Sequence, residues 1–175
     1  MISDVEGLIG KYRNVGVLVD TNILLLHVVG STNKQRITQF KRTRERFTIE
    51  DFDLLQRILC LFSKVTTTQS ILTEVSNLTG QLTEPEKSRC RTLFAEEIKR
   101  FEEIYAPSSR ICDEQMFPKF GLTDCGIMAT NQQYLVLTDD LPLAAYLSRQ
   151  GVDTINFNNI RQYGWTSAQG NSQTS

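Results

Sequence analysis

The chain is poor in soft metal ligands, with one histidine and four cysteines among 175 residues. The cysteines stand far apart, so no CxxC pair or Cys/His cluster predicts a zinc site or a redox pair. We expect them to stay reduced and mostly buried. No apolar run approaches the roughly 18 residues of a membrane span, and no basic stretch precedes a long apolar run at the N-terminus, as a secretory signal requires. We therefore expect a cytoplasmic protein with no membrane partner.

An excess of charge of one sign is also lacking. The 19 Lys and Arg residues are matched by 20 Asp and Glu residues, and the net charge is -1. No protein-wide field attracts nucleic acid, so a polyanion site would have to be local. The GxxxxGK[ST] phosphate loop, the GxGxxG motif and the GxSxG elbow are all missing, which removes support for nucleoside-triphosphate and dinucleotide folds and for a nucleophile-elbow hydrolase.

What is present is an alternation of buried strands and helices. Val15 to Val19, Lys64 to Thr68, the run "YLVLT" from Tyr134 and the shorter "DTINF" read as strands, the first and third without the polar alternation of a half-exposed sheet. The alternation predicts an α/β fold, a three-layer α/β/α sandwich with a central parallel sheet of four or five strands. We place a single domain at residues 1–165 and a disordered polar tail at 166–175.

Capping and stop signals predict where the helices begin and end. Asn22 and Gly30 would bound the first helix after a strand, and Thr48 with Asp51 would open the next. Ser70 and Gly80 would bound a third, and Thr83 with Glu86 would open a long helix running to Tyr105. Thr123 would cap a later helix, and Pro142 and Gly151 would bound the last.

A basic insertion spans residues 31–50. Residues 31–47 hold six positive side chains against a single acid, Glu45; the six are Lys34, Arg36, Lys41, Arg42, Arg44 and Arg46. The segment reads as a solvated loop or as an arm that binds nucleic-acid phosphates, and its charge favours the arm. Phe40 and Phe47 would stack on unpaired bases or pack in the core.

Acidic residues stand directly after predicted strands. Asp20 follows the first strand, and Asp139 and Asp140 follow the third. In open parallel sheets, ligands bind outside the carboxyl ends of the strands, although each acid taken alone is also explained as a helix cap or a dipole partner. Glu74 lies close to the apolar stripe of its helix, and Asp124 lies in the first turn of another.

Acids gathered at one place repel each other strongly unless a cation lies between them. Carboxylates alone favour Mg²⁺ or Mn²⁺ over zinc. Sites of this type hold one or two ions and act mainly on phosphate esters, where they activate water and stabilise the leaving oxygen. The acids together therefore indicate a candidate phosphodiester-cleaving site.

The stretches "VLVDTNILL", "ILTEV", "GLTDCGIMAT" and "YLVLTDD" resemble, in order, the four acidic motifs of the PIN-domain nucleases. The resemblance covers roughly residues 15–160. It implies that Asp20, Glu74, Asp124 and Asp140 are catalytic metal ligands, that Asp139 adds a further oxygen, and that Asn22 and Thr138 orient ligands or substrate.

The resemblance also implies an activity and partners. PIN proteins commonly cleave single-stranded RNA, and many bacterial members are the toxins of toxin–antitoxin pairs. We therefore expect an Mg²⁺- or Mn²⁺-dependent endoribonuclease, with an antitoxin protein and a second copy of the chain as further candidate partners. Two alternatives stay open: a non-catalytic module that binds RNA or protein, and a metal-dependent phosphatase.

Overall fold

Five short strands build one sheet in the computed structural model, which describes residues 2–130 and 133–162. They are β1 Val17–Val19, β2 Val65–Thr68, β3 Glu102–Ile104, β4 Leu135–Thr138 and β5 Thr154–Asn156. The order across the sheet is β3-β2-β1-β4-β5, and all four neighbouring pairs are parallel. The prediction of a parallel sheet of four or five strands is confirmed.

Helices cover both faces of this sheet, which gives the predicted three-layer α/β/α sandwich. They are α1 Ile2–Tyr12, α2 Thr21–Thr32, α3 Lys41–Arg44, α4 Ile49–Leu59, α5 Gln69–Thr79, α6 Glu86–Ile98, α7 Ser108–Ile111, α8 Phe117–Thr130 and α9 Leu141–Arg149. A 3-10 helix spans Lys34–Thr38, and residues 157–162 are helical. The predicted tail at 166–175 lies outside the described residues.

Strand β3 was not predicted from the sequence. We predicted one helix from Thr83 to Tyr105, but α6 ends at Ile98 and β3 follows. This strand is an edge strand with the sequence Glu-Glu-Ile, and none of its residues is fully buried. An edge strand with one neighbour needs no apolar run, so nothing in its composition separates it from a polar helix end.

Several predicted helix boundaries are wrong, and the predicted and observed residues lie close together. Asp20, not Asn22, caps α2; Thr68, not Ser70, caps α5; Pro85 precedes α6 without the Thr83 capping box; and α8 breaks at Gly121 rather than beginning at Thr123. The Thr48–Asp51 capping box and the Gly80, Pro142 and Gly151 signals are confirmed. In the errors at α2 and α5, the cap is the residue at the junction of strand and helix, Asp20 directly after β1 and Thr68 at the end of β2, and its side chain accepts from the new helix.

Gly30 does not end α2 as predicted; it lies within this helix and faces Phe52 of α4. A Cβ added to Gly30 would lie 2.2 Å from Cδ2 of the buried Phe52 ring. The helix continues to Thr32, and Asn33 follows it in an extended conformation. Glycine is therefore required here by packing rather than by backbone conformation.

We expect Gly30→Ala to lower the free energy of unfolding by about 1 to 3 kcal/mol, because the new methyl group overpacks the core at Phe52. Urea denaturation measures the change. Gly7→Ala is the matched control: Gly7 also lies within a helix, its added Cβ meets nothing within 4 Å, and alanine should raise stability by up to about 1 kcal/mol. Equal effects of the two substitutions would contradict the packing role of Gly30.

Two further expectations concern thiols and membranes. All four cysteines are unpaired, but only Cys90 and Cys125 are buried, so the expectation that most are buried is wrong for Cys60 and Cys112. Within residues 2–130 and 133–162, no helix combines the length and the apolar character that a bilayer span requires.

Candidate active site

The sheet order brings the acids that follow β1 and β4 to one place. These two strands are hydrogen-bonded neighbours, with Val19 opposite Leu137 in the register. The chain leaves β1 towards β2 on one side, and β4 lies on the other side. This reversal is the topological switch point at which doubly wound sheets bind ligands. Asp20, Asp139 and Asp140 therefore lie at the carboxyl edge of the two central strands.

Asp20 is buried and holds several backbone groups in place. Its Oδ1 accepts from the Ile23 backbone N–H at 2.8 Å, which caps α2, and its Oδ2 accepts from the Asp139 N–H at 3.2 Å and from the Thr138 hydroxyl. Burial, and then the charge of Asp139, raise the pKa of Asp20 to about 7 despite these hydrogen bonds. The carboxylate is thus poorly compensated at neutral pH.

Thr138 links two of the acids. Its hydroxyl donates to Asp20 Oδ2 and accepts from the Asp140 backbone N–H at 2.9 Å. The side chain is completely buried. Asp140 in turn caps α9 by accepting from the Leu143 N–H at 2.8 Å. The structure therefore places Thr138 where a residue that orients the acids is expected to lie.

We expect Thr138→Val to lower the free energy of unfolding by about 1 to 3 kcal/mol, since it leaves the Asp140 N–H without its acceptor and takes a donor from Asp20. Valine has nearly the same shape, so the loss reports the hydroxyl rather than a cavity. Thr138→Ser keeps the hydroxyl and should retain more of the stability. Chemical denaturation at neutral pH compares the three proteins, and a valine variant as stable as the wild type would contradict this assignment.

Both side-chain oxygens of Asp139 have a partner, and one of these partners is a cation. Its Oδ1 accepts from Asn22 Nδ2 at 2.9 Å and its Oδ2 from Arg46 Nη1 at 3.0 Å, while its backbone oxygen accepts from Asn158 Nδ2 at 2.7 Å. The Asp139 side chain is 5% exposed, whereas that of Arg46 is 53% exposed. Asn22, expected to orient ligands or substrate, is thus a direct partner of Asp139.

Glu74 and Asp124 approach the same edge from helices α5 and α8. Glu74 accepts from the Thr21 hydroxyl at 2.9 Å; it is exposed, beside the buried Ile71 and Val75, rather than turned into the core. Burial, followed by the charges of Asp140 and Glu74, raises the pKa of Asp124 to about 6. Because the charges of Asp140 and Glu74 act on Asp124, the three carboxylates are close enough to repel one another.

The donor set can be compared with the needs of a cation. It consists of carboxylate oxygens, the ligands preferred by Mg²⁺ and Mn²⁺, and the single histidine is engaged elsewhere, between Gln56 and Glu97. Burial, and then repulsion from neighbouring carboxylates, raises the pKa values of Asp20 and Asp124. In chemistry and charge the residues fit a hard divalent cation, although no three acidic, histidine or cysteine side chains within the described ranges form a preformed metal-binding group.

The basic insertion is folded rather than extended. It contains the 3-10 helix and α3, and most of its charged side chains have partners away from the acids: Lys34 pairs with Asp53, Arg36 with Glu86, Arg44 with Glu45, and Arg42 donates to Gln81. Arg46 is the member that reaches the acids. Phe47 is buried and meets Phe157 edge to face, and Phe40 packs against the core, so core packing is the correct one of the two interpretations.

Sequence reasoning did not single out three of the polar contacts at this edge. Thr21 holds Glu74, Asn158 holds the backbone of Asp139, and Arg161 donates to the backbone oxygen of Arg46 at 2.7 Å. The position of Thr21, directly after Asp20 in the chain, was an available signal. Nothing in the local sequence marks Asn158 or Arg161, because their partners lie far away along the chain.

Comparison with known proteins adds no family assignment. The chain matches no protein-family model, and a search of curated proteins found no match either.

Proposed function

We propose that the chain is an Mg²⁺- or Mn²⁺-dependent endoribonuclease that cleaves single-stranded RNA. The observation that carries the proposal is the meeting of Asp20, Asp139 and Asp140 at the ends of the two central strands, with Asp124 and Glu74 facing them from flanking helices. Neighbouring carboxylates with raised pKa values lower the stability of the folded chain at neutral pH. Such groups cluster at functional sites, which favours a functional role for these acids. The resemblance to the acidic motifs of PIN-domain nucleases points the same way.

The residues divide the work between them. Asp20, Glu74, Asp124 and Asp140 would hold the cation, which when bound activates water and stabilises the leaving 3′ oxygen. Thr138 fixes Asp20 relative to Asp140, and Asn22 fixes Asp139. The half-exposed Arg46 guanidinium beside Asp139 would contact the RNA phosphate.

Four unpaired thiols suit a reducing compartment, so the proposal places the enzyme in the cytoplasm. A toxin role is part of the same proposal, and a small reading frame next to the gene, encoding a protein that binds this chain, would support it.

Labelled single-stranded RNA should be cut in Mg²⁺ or Mn²⁺ and left intact in excess EDTA, with activity restored when the metal is added back. Gel electrophoresis of the products measures the reaction, and a labelled single-stranded DNA of the same sequence tests the choice of sugar. Cutting that is indifferent to EDTA would contradict the metal-dependent mechanism.

Two observations favour a second candidate function, a non-catalytic module that binds RNA. Within the described part of the chain the carboxylates form no preformed metal group, and Arg46 already neutralises Asp139. Calorimetry separates the two functions. Heat of binding at near-millimolar Mn²⁺ supports the nuclease, whereas salt-sensitive RNA binding without any metal binding supports the module.

A further inference from the structure

A polar cleft lies beside the acids, between α5 and α8. Its volume is about 440 Å³, and its walls include Gln69, Glu74 and Asn77 of α5 and Thr123 of α8. A second, smaller cavity continues from it, sharing the walls formed by Gln69, Ser70 and Ser108 and reaching Tyr105. Because Glu74 lines the cleft and Thr123 adjoins Asp124, a ligand that entered it would lie next to the acids.

The walls suit an uncharged ligand that forms hydrogen bonds. Among the described residues that line the two cavities, Glu74 is the single charged one, and none is lysine or arginine. Phosphate is therefore disfavoured here. The amides of Gln69 and Asn77 and the hydroxyl of Ser70 each offer a donor and an acceptor, and these side chains make no hydrogen bond with any other residue that the structure describes.

An aromatic side chain stands at the inner cavity. Tyr105 directly follows β3 and is 72% exposed. In the described part of the chain its ring contacts no other ring and no cation. An exposed ring beside unpaired amide groups offers what an unstacked base requires, namely a face to stack on and polar atoms for its edge.

We propose that this polar cleft binds a nucleobase of the RNA next to the cleaved phosphodiester, with Tyr105 as stacking platform and Gln69 and Asn77 reading the base edge. The inference rests on the proposed function in taking RNA as the ligand. It assigns base selection to α5 and the segment after β3, and phosphate contact to Arg46 and to the cation that the acids would hold. A paired base has its edge and faces occupied, so the cleft selects unpaired RNA.

The test measures binding apart from cutting. Short fluorescent single-stranded RNAs, each varied at one position through every base and an abasic residue, are titrated with the full chain in EDTA, and anisotropy gives Kd. We expect the wild type to prefer one base at one position and to bind the abasic RNA about tenfold more weakly. Tyr105→Ala should lose about tenfold with the preferred base and little with the abasic RNA, and Tyr105→Phe should bind like the wild type.

The amide variants test how the base is read. Gln69→Ala and Asn77→Ala should flatten the preference among bases, whereas Gln150→Ala, which removes an exposed amide at the far end of α9, should leave it unchanged. An unaltered preference in all the cleft variants, or RNA binding that ignores base identity and the abasic residue, would overturn the proposal.

Cutting of the same RNAs in Mn²⁺ is recorded separately, so that a failure of the base-binding cleft can be distinguished from a failure of the nuclease activity. Metal-dependent cutting with no effect of base or cleft variant overturns the cleft and leaves the nuclease in place. Base-dependent binding that the cleft variants abolish, without cutting in any metal, supports the cleft and overturns the nuclease.

Discussion

Asp20→Asn should reduce the metal-dependent cleavage of single-stranded RNA by at least about a hundredfold. Asp20 is the proposed ligand at the end of the central strand, and losing one anionic ligand weakens both metal binding and the several kcal/mol of transition-state stabilisation that a cation supplies. Asparagine keeps the oxygen that caps α2 by accepting from Ile23, but its amide nitrogen cannot accept from the Asp139 N–H and the Thr138 hydroxyl, so a denaturation curve checks that the variant is folded. Initial rates on a labelled RNA at saturating Mn²⁺ measure the effect.

Asp53→Asn is the matched control for that experiment. Asp53 also loses one carboxylate charge in this variant, but it lies on α4, where its side chain is half exposed and paired with Lys34. Exposed pairs of this kind contribute little to stability, and we expect an unchanged cleavage rate. An Asp20→Asn protein that cuts RNA as fast as the wild type would remove Asp20 from the site.

Asp20→Asn should also become more stable, relative to the wild type, as pH rises. The Asp20 pKa is about 7 in the folded chain, against an ordinary value of 3.8. Between these values the folded state keeps a proton that the unfolded state has lost, so the free energy of unfolding of the wild type falls as pH rises through this window. Asparagine does not titrate and escapes this loss.

From about pH 5 to about pH 8, the stability of Asp20→Asn relative to the wild type should improve by roughly 2 to 3 kcal/mol. Asp124, whose pKa is raised to about 6, gives a loss of the same sign in both proteins. The comparison between the two proteins therefore isolates Asp20. Urea denaturation in EDTA at several pH values measures the difference, and a pH-independent difference would contradict the raised pKa.

Much of the fold could be predicted because buried parallel strands leave a plain signal. The runs at β1 and β4 are apolar without alternation, and every residue of both strands is buried. β3 was missed because an edge strand beside one neighbour carries polar residues, such as Glu102, which pairs with Lys64. Tertiary contact, and not local propensity, makes that segment a strand.

The candidate site could be predicted in outline but not in its contacts. The positions of Asp20 and Asp140 follow from strand ends, which the sequence marks. Its contacts depend on the directions of side chains from separate elements, which the sequence does not mark. These contacts join Thr138 to Asp20 and Asp140, Thr21 to Glu74, and Arg46 to Asp139. The basic insertion shows the limit most clearly, because its composition suggested an arm whereas folding pairs most of its charges locally.

The pairing of β1 with β4 also sets when during protein synthesis the acids can meet. Asp20 leaves the ribosome early, but its neighbour in the sheet is translated more than a hundred residues later, and domains generally fold as units as they emerge. A nascent chain stalled before β4 would therefore carry Asp20 and Glu74 without Asp140. The proposed activity would therefore be withheld from the ribosome and its messenger until β4 and Asp140 have been translated.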